Sequence, residues 1–300
     1  MSKKYELLEN DKIKHNGKIL YRIKALFTFL DINEIVIREG DLGGYIESER
    51  NLSQNGYCWV YDNAKIYDNA EVYGNAIVSN NAEVHGNAKV SNNAEIYDNI
   101  EIYGNAEVYG NVMMYENVKI YGNAKVCQNA KVCGEARIYD SAEVYGNVNI
   151  LGSVEIYGQA KVCQNVKLYE DVRIYDSAEV FGSAEMYRNA KVFGNAKVFG
   201  NAKLYDNAEV CGNAIIKKGA IIGQISMAYK DIFQYQCQNR VLTAILTKDN
   251  KILYSIGCQN NISKESFINK IYNLDEGLEK NPHRAEYLKL ISAIEVYFNS

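Results

Sequence analysis

The sequence is poor in proline and histidine and has no long apolar segment. Among 300 residues there are one proline and three histidines. No apolar run approaches the length of a membrane span, and the first residues, MSKKYELLENDKIKHNGK, lack the apolar centre of a signal peptide. The formal net charge of -4 gives no general attraction to nucleic acid or to an anionic membrane. We therefore expect a cytoplasmic protein without a membrane partner, and nucleic acid is a disfavoured partner.

The seven cysteines form no recognisable metal-binding pattern. No Cys-x-x-Cys pair occurs in the chain, and such pairs are the usual signature of a zinc site. Four cysteines stand at one position of an internal repeat, where Tyr or Phe otherwise occurs: Cys127, Cys133, Cys163 and Cys211. We interpret them as reduced thiols that replace an aromatic residue, and we expect neither a metal nor a cofactor.

An internal repeat of six residues dominates the chain. From Asn63 to Lys218 there are 26 consecutive units without insertion or deletion, as in NAKVFG, and looser units begin at Asn51, Tyr57 and Gly219. In an extended segment alternate side chains point to opposite faces, so Ala and Val or Ile face inward, and Lys or Glu and the aromatic residue face outward. The remaining two residues are of the Gly, Asn and Asp types that accept positive φ. Each unit therefore predicts a short strand followed by a corner.

The outward charges indicate how many units complete one coil. Equivalent residues of neighbouring parallel strands lie close together, where opposite charges attract and like charges repel. Charged residues one unit apart have opposite signs in 8 of 18 pairs, two units apart in 9 of 17, and three units apart in 14 of 17. Three units per coil, or 18 residues, is therefore the predicted period. One row alternates throughout: Glu71, Lys89, Glu107, Lys125, Glu143, Lys161, Glu179 and Lys197.

The repeat resembles that of the hexapeptide-repeat, left-handed parallel β-helix family. The resemblance rests on an aliphatic residue that is followed four places later by a small residue, as in Val192 with Ala196 and Val198 with Ala202. The resemblance implies a mainly β fold, a triangular left-handed parallel β-helix with 18 residues per coil, over residues 51–223. It implies no single function, because the fold hosts unrelated activities.

Both flanking segments differ from the repeat and are expected to cap it, because the ends of a solenoid expose unpaired backbone. Residues 1–50 are predicted to form an N-terminal β cap, with strands at Lys18–Phe29 and Glu34–Glu39 and a turn at KHNGK; GDLGGYIES is predicted to lead into the first coil. Residues 224–300 are predicted to form an α+β domain. Its helices are expected to begin at Ser263 and at Asn281–Pro282, after strands joined by the turn TKDNK. Around RVLTAIL and YSIGCQ this domain resembles the tail domain of phage and prophage hexapeptide-repeat proteins.

Many members of the family are acyltransferases, which carry a loop extruded from a coil and a catalytic histidine at a subunit boundary. The 26 units contain no such loop. His15 lies in the predicted turn and His283 at the start of the second helix. His85 is the histidine of the repeat, at an aromatic position between Tyr67 and Tyr103 of one row. It is the catalytic candidate if the protein is an enzyme, and otherwise a substituted position of that row.

Aromatic residues form rows along the outside of the predicted prism. Such rows stabilise parallel coils by stacking, and they are also typical of interaction surfaces because Tyr offers a large contact area with little rotamer entropy. The residues predicted to contact a partner are Tyr103, Tyr121, Tyr139, Tyr157, Tyr175, Tyr169, Tyr187 and Tyr205.

These observations favour a non-enzymatic binding protein with a protein partner. The resemblance to phage proteins gives the hypothesis a specific form, in which the protein is an inhibitor or sponge that acts on a host bacterial defence enzyme through the rod faces or the terminal domains. One alternative is an acyltransferase or its inactive descendant. A further alternative is a self-assembling structural rod whose aromatic rows pack into a homotrimer.

Overall fold

The structure of the protein is a computed structural model that describes residues 3–216, 221–223, 227–237, 240–247, 251–256, 259–272 and 284–299. The chain divides into two compact units, Met1–Glu170 and Asp171–Ser300. Both are built mainly from β-strands. Within the described residues, no helix is both long and apolar enough to cross a membrane.

The first unit begins with an antiparallel hairpin. Its strands are β1 (Tyr5–His15) and β2 (Lys18–Ala25), followed by β3 (Phe29–Leu30), β4 (Val36–Ile37), β5 (Leu42–Ile46) and a short 3-10 helix, Glu49–Asn51. Asn16 and Gly17 both have positive φ at the hairpin turn, as type I′ turns require. The predicted turn is confirmed. Strand β1 was not predicted, because its sequence YELLENDKIKH has no regular alternation and contains a bulge between Leu8 and Lys12.

Short strands then recur every six residues along the first unit. They are β6 (Trp59–Val60), β7 (Lys65–Ile66), β8 (Glu71–Val72), β9 (Ile77–Val78), β10 (Glu83–Val84), β11 (Lys89–Asn92), β12 (Glu95–Ile96), β13 (Glu101–Ile102), β14 (Glu107–Gly110), β15 (Met113–Met114), β16 (Lys119–Ile120), β17 (Lys125–Gln128), β18 (Lys131–Cys133), β19 (Arg137–Ile138), β20 (Glu143–Gly146), β21 (Asn149–Leu151), β22 (Glu155–Ile156), β23 (Lys161–Gln164) and β24 (Lys167–Tyr169).

Every third repeat strand joins the same parallel sheet, so three sheets form. In the first unit the first sheet has the order β1-β2-β5-β7-β10-β13-β16-β19-β22, the second β8-β11-β14-β17-β20-β23, and the third β6-β9-β12-β15-β18-β21-β24. Residues 18 apart are register partners, as Glu107 is with both Lys89 and Lys125. The predicted 18-residue triangular coil is confirmed. The left-handed sense is an expectation from the family resemblance.

The interior and the corners follow the assignments made from the repeat. The inward alanine and aliphatic positions, such as Ala124 and Val126, are fully buried, which suits a narrow, closely packed core. At every sixth residue from Asp62 to Glu170 the backbone has positive φ. Gly43 and Gly44 lie where the cap meets the first coil. A Cβ atom there would lie 2.5 Å from the Val60 carbonyl oxygen and 2.6 Å from that of Ala64, so these positions require glycine.

The second unit contains the same kind of coil, with three parallel sheets of three strands each, β25-β28-β31, β26-β29-β32 and β27-β30-β33. The strands are β25 (Arg173–Ile174), β26 (Glu179–Val180), β27 (Glu185–Met186), β28 (Lys191–Val192), β29 (Lys197–Val198), β30 (Lys203–Tyr205), β31 (Glu209–Val210), β32 (Ile215–Ile216) and β33 (Ile221–Gly223).

After β33, the described residues form an antiparallel four-stranded sheet and two helices. The elements are β34 (Met227–Cys237), β35 (Arg240–Thr247), β36 (Ile252–Ile256), β37 (Gln259–Ile262), α1 (Lys264–Tyr272) and α2 (Arg284–Asn299). Ser263 caps α1 as predicted, with its Oγ accepting the Ser266 N–H at 3.1 Å. In α2, Ile291, Ile294 and Phe298 are buried in one core cluster. Asn281 and Pro282, the predicted start of α2, lie outside the described residues, as does His283. The boundaries at 50/51 and 223/224 stay predictions.

Candidate functional site

A stack of aromatic rings follows the outward positions of the first sheet in residues 1–170. Successive rings are nearly parallel, with interplanar angles of 2–5° and centroid distances of 4.8–5.1 Å. This spacing is close to the distance between hydrogen-bonded strands, so the register of the sheet alone brings the rings into contact. The members are Tyr67, His85, Tyr103, Tyr121, Tyr139 and Tyr157.

Four of the predicted partner-contacting residues therefore lie together in one uninterrupted stack, Tyr103 to Tyr157. Each is partly exposed. The other four are placed elsewhere. Tyr169 belongs to the third sheet of the first unit, and Tyr175, Tyr187 and Tyr205 belong to the second unit, where Tyr175 stacks on Phe193 at 4.8 Å.

His85 occupies one position of the stack. Its ring lies 4.8 Å from that of Tyr67 and 5.1 Å from that of Tyr103, nearly parallel to both. Burial among these rings lowers the pKa of His85, and the nearby carboxylates of Asp68, Glu83 and Glu101 oppose this effect. Both faces of the imidazole are thus in contact with neighbouring rings.

The N-terminal hairpin covers the beginning of the stack. The His15 ring packs edge-on against Tyr67 at 5.4 Å, and its Nε2 lies 2.9 Å from a Glu83 carboxylate oxygen. Asn16 donates a hydrogen bond to the Tyr67 hydroxyl. Tyr67 is consequently only 3% exposed. The rings of the stack from His85 onward are partly exposed.

A row of charged residues runs beside the stack on the same strands. Lys119 forms an ion pair with Glu101 at 2.9 Å, and Arg137 with Glu155 at 3.7 Å. Glu83 binds both Lys65 and His15. Burial raises the pKa of Glu83, but these two hydrogen bonds outweigh it, and the net shift is downward.

This charge row is unusual because it contains neighbours of like charge. Glu83 is the register partner of Glu101, and Lys119 of Arg137. The charge row of the second sheet alternates strictly from Glu71 to Lys161. Like charges on adjacent strands destabilise a sheet. The stack is therefore accompanied by an acidic and a basic doublet that the fold does not require.

Asparagine ladders along the corners were missed in the sequence analysis, which assigned these residues only to turns. Each side-chain amide nitrogen, Nδ2, donates to the side-chain oxygen, Oδ1, of the asparagine 18 residues later, at 2.8–3.1 Å along the longest ladder. The recurrence of Asn at one position every 18 residues is the signal that could have revealed them. That ladder consists of Asn75, Asn93, Asn111, Asn129, Asn147 and Asn165.

Corner aspartates make a second contact between coils. Asp98 accepts the backbone N–H of Glu116 at 3.0 Å, and Asp140 accepts that of Gly158 at 3.1 Å. The carboxylate thereby satisfies the backbone N–H of a corner residue with positive φ. These carboxylates thus have structural partners, as expected for residues interpreted as corners. Within the described part of the chain, no group of three or more His, Cys, Asp or Glu side chains could hold a metal ion.

Comparison with known proteins assigns the chain to no family. No protein-family model matches the chain, and no curated protein is significantly similar to it in sequence. The functional argument therefore depends on the surfaces described above.

Proposed function

We propose that this protein is a non-enzymatic binding protein that contacts a protein partner through the ladder face. We define the ladder face as the part of the first sheet that carries the four stacked tyrosines and the charged residues beside them. It consists of Tyr103, Tyr121, Tyr139 and Tyr157 with the charged residues Glu101, Lys119, Arg137 and Glu155.

The observation that carries the proposal is the uninterrupted four-ring stack on one sheet. Since each inner ring contacts its neighbours on both faces, it presents its edge and hydroxyl group to solvent. Tyrosine edges and hydroxyls combine apolar area with hydrogen bonding, which is typical of protein interfaces. Base stacking needs a free ring face, and this argues against single-stranded nucleic acid as the partner.

The charge pattern of the face supports a partner of complementary charge. Along the axis the signs are negative, positive, positive and negative at Glu101, Lys119, Arg137 and Glu155. Lys119 and Arg137 repel each other in the free protein. The preference for opposite charges on adjacent strands is a local rule, and such rules are most often broken at functional sites. A partner that places carboxylates over this basic doublet would relieve the repulsion.

The partner class comes from the resemblance of the C-terminal domain to phage proteins. On that basis the partner is a host bacterial protein, and the activity is inhibition or sequestration of a defence enzyme in the cytoplasm. The position of His85 inside the ring stack supports a structural role for that residue and favours binding over acyl transfer.

The test is capture from a bacterial lysate, quantified by mass spectrometry, with full-length protein and two double variants. Tyr121→Ser with Tyr139→Ser removes the centre of the ladder face. Tyr109→Ser with Tyr145→Ser removes the same number of tyrosines from the second sheet and serves as the matched control. We expect a partner that the control retains and the ladder variant loses. A partner retained equally by both variants would place the contact elsewhere.

Two measurements separate the alternatives. Calorimetry with acyl-CoA should show no binding, whereas binding that His85→Ala abolishes would support a transferase. Sedimentation equilibrium should give the mass of one chain, whereas three chains would support a homotrimer packed through the aromatic rows.

A further inference from the structure

We propose that a notch on the second sheet, between Tyr73 and Tyr109, binds a planar aromatic group that carries a negative charge. The notch is a cavity of about 310 Å³. It is independent of the ladder face, which lies on the first sheet. Its lining consists of Tyr73, Lys89, Ser91, Asn92, Glu107 and Tyr109.

The notch exists because a ring is missing from the aromatic row of the second sheet. Strands β8, β11 and β14 are adjacent, and their outward aromatic positions are Tyr73, Ser91 and Tyr109. In the first sheet each repeat strand from β7 to β22 contributes a ring to the stack. At Ser91 the side chain is small and forms the floor of the notch, where it is 5% exposed.

The missing ring leaves space for one planar group. Tyr73 and Tyr109 stand two strands apart, about 9.6 Å along the axis at the usual spacing of strands. A ring midway between the two walls would lie about 4.8 Å from each of them, which is the centroid distance at which Tyr67 and His85 stack in the first sheet. A bound ring would therefore continue the row in the geometry that His85 shows between Tyr67 and Tyr103.

The two walls offer free aromatic faces. In the described part of the chain neither Tyr73 nor Tyr109 stacks on another ring, and Tyr73 is 39% exposed. The Tyr109 hydroxyl is hydrogen-bonded with the Cys127 thiol, which raises the pKa of Tyr109 to about 12. This contact engages Tyr109 on the side away from Ser91 and fixes one wall of the notch.

The sign of the ligand's charge follows from Lys89. Its side chain is exposed at the rim, and within the described residues it makes no ion pair with either register partner, Glu71 or Glu107. Of these two acids only Glu107 lines the notch, and it lies 4.0 Å from Lys125 on its other side. An unpaired ammonium beside two aromatic faces favours a ring that bears a carboxylate or a similar anionic group.

The experiment uses 2-naphthoate as the probe and the full-length protein, with affinity from calorimetry and ring contacts from saturation-transfer NMR. We expect one site per chain with saturation transferred to the naphthyl protons. Ser91→Tyr should weaken binding by about tenfold or more, which corresponds to about 1.4 kcal/mol, because the new ring completes the row and fills the notch. Lys89→Gln should weaken 2-naphthoate binding while leaving that of neutral 2-naphthalenemethanol unchanged.

Cys133→Tyr is the matched control, because it adds a tyrosine at the equivalent position of the third sheet and leaves the notch intact. It should bind 2-naphthoate like the natural protein. Thermal melting of each variant verifies that the fold is kept. The proposal is overturned if the natural protein does not bind 2-naphthoate at millimolar concentration, or if Ser91→Tyr binds it as tightly as the natural protein does.

Discussion

Exchanging the charges of Glu101 and Lys119 should stabilise the protein, although neither single substitution should. In the natural row, Lys65, Glu83, Glu101, Lys119, Arg137 and Glu155 are successive register partners. Three of the neighbouring pairs attract, and the pairs Glu83–Glu101 and Lys119–Arg137 repel. In the double variant Glu101→Lys with Lys119→Glu the signs alternate along the whole row, so every neighbouring pair attracts.

The magnitude follows from the exposure of these side chains. Lys119 and Glu101 are 41% and 40% exposed, so each neighbour contact has the modest energy of a surface pair. Converting one repulsive neighbour to an attractive one contributes about 0.5–1 kcal/mol. The double variant converts two such neighbours, and we expect a gain of about 1–2 kcal/mol in the free energy of unfolding. Each single variant repairs one repulsive pair and creates another, so its effect should be near zero.

The assay is urea denaturation of the natural protein, the two single variants and the double variant. Unfolding is followed by circular dichroism and by the fluorescence of Trp59. Coincident transitions by the two probes would justify a two-state free energy. The gain should be largest in 10 mM salt and nearly vanish in 1 M salt, where the Debye length is about 3 Å. Additive effects, with a double variant no more stable than the singles predict, would refute the reasoning.

The remaining predictions concern the asparagine ladders, His85 and the cap. Asn99→Ala breaks two ladder hydrogen bonds, with Asn81 and Asn117, whereas Asn117→Ala breaks one. Urea denaturation should therefore show about twice the loss for Asn99→Ala, at about 0.5–1 kcal/mol per bond, and equal losses would contradict the ladder. Because the folded pKa of His85 is lowered, the unfolded chain takes up a proton first, and stability should fall as pH drops below about 6.5. In melting curves against pH, His85→Phe should lessen this fall, and an unchanged profile would exclude the contribution. Gly44→Ala should lower the melting temperature through its clash with the backbone, whereas Gly17→Ala at the open hairpin turn should cost less; equal costs would contradict the close contact.

The period, the corners and the direction of each side chain could be predicted from sequence because each is a local or periodic property. The contact between Glu107 and Lys125 is predictable because residues of opposite charge recur at the 18-residue spacing of the coil. The positive φ of Asp140 follows from its position between strands. The same reasoning did not reveal strand β1, since the bulge between Leu8 and Lys12 shifts its register and interrupts the alternation of its side chains.

The candidate site was only partly predictable. The row containing Tyr103 and Tyr121 follows from the period, and the structure confirms the stacking. The covering of Tyr67 by His15 and Asn16 could not be predicted, because it depends on where a hairpin tip 51 residues away in sequence comes to lie. Periodicity specifies neighbours along the axis, but it contains no information on how a non-repeating segment packs against them.

One repeat position therefore produces two kinds of surface, and the difference lies in whether a ring's faces are used within the protein. Where every coil has an aromatic residue, as from Tyr103 to Tyr157, the ring faces contact one another and the ring edges are left toward solvent. Where Ser91 interrupts the row, the faces of Tyr73 and Tyr109 are released at the loss of two stacking contacts. Each such contact contributes about 0.5–1.5 kcal/mol. Ser91→Tyr should thus raise stability while it removes ring binding, and a variant that lost both would show that the serine supports the fold rather than the notch.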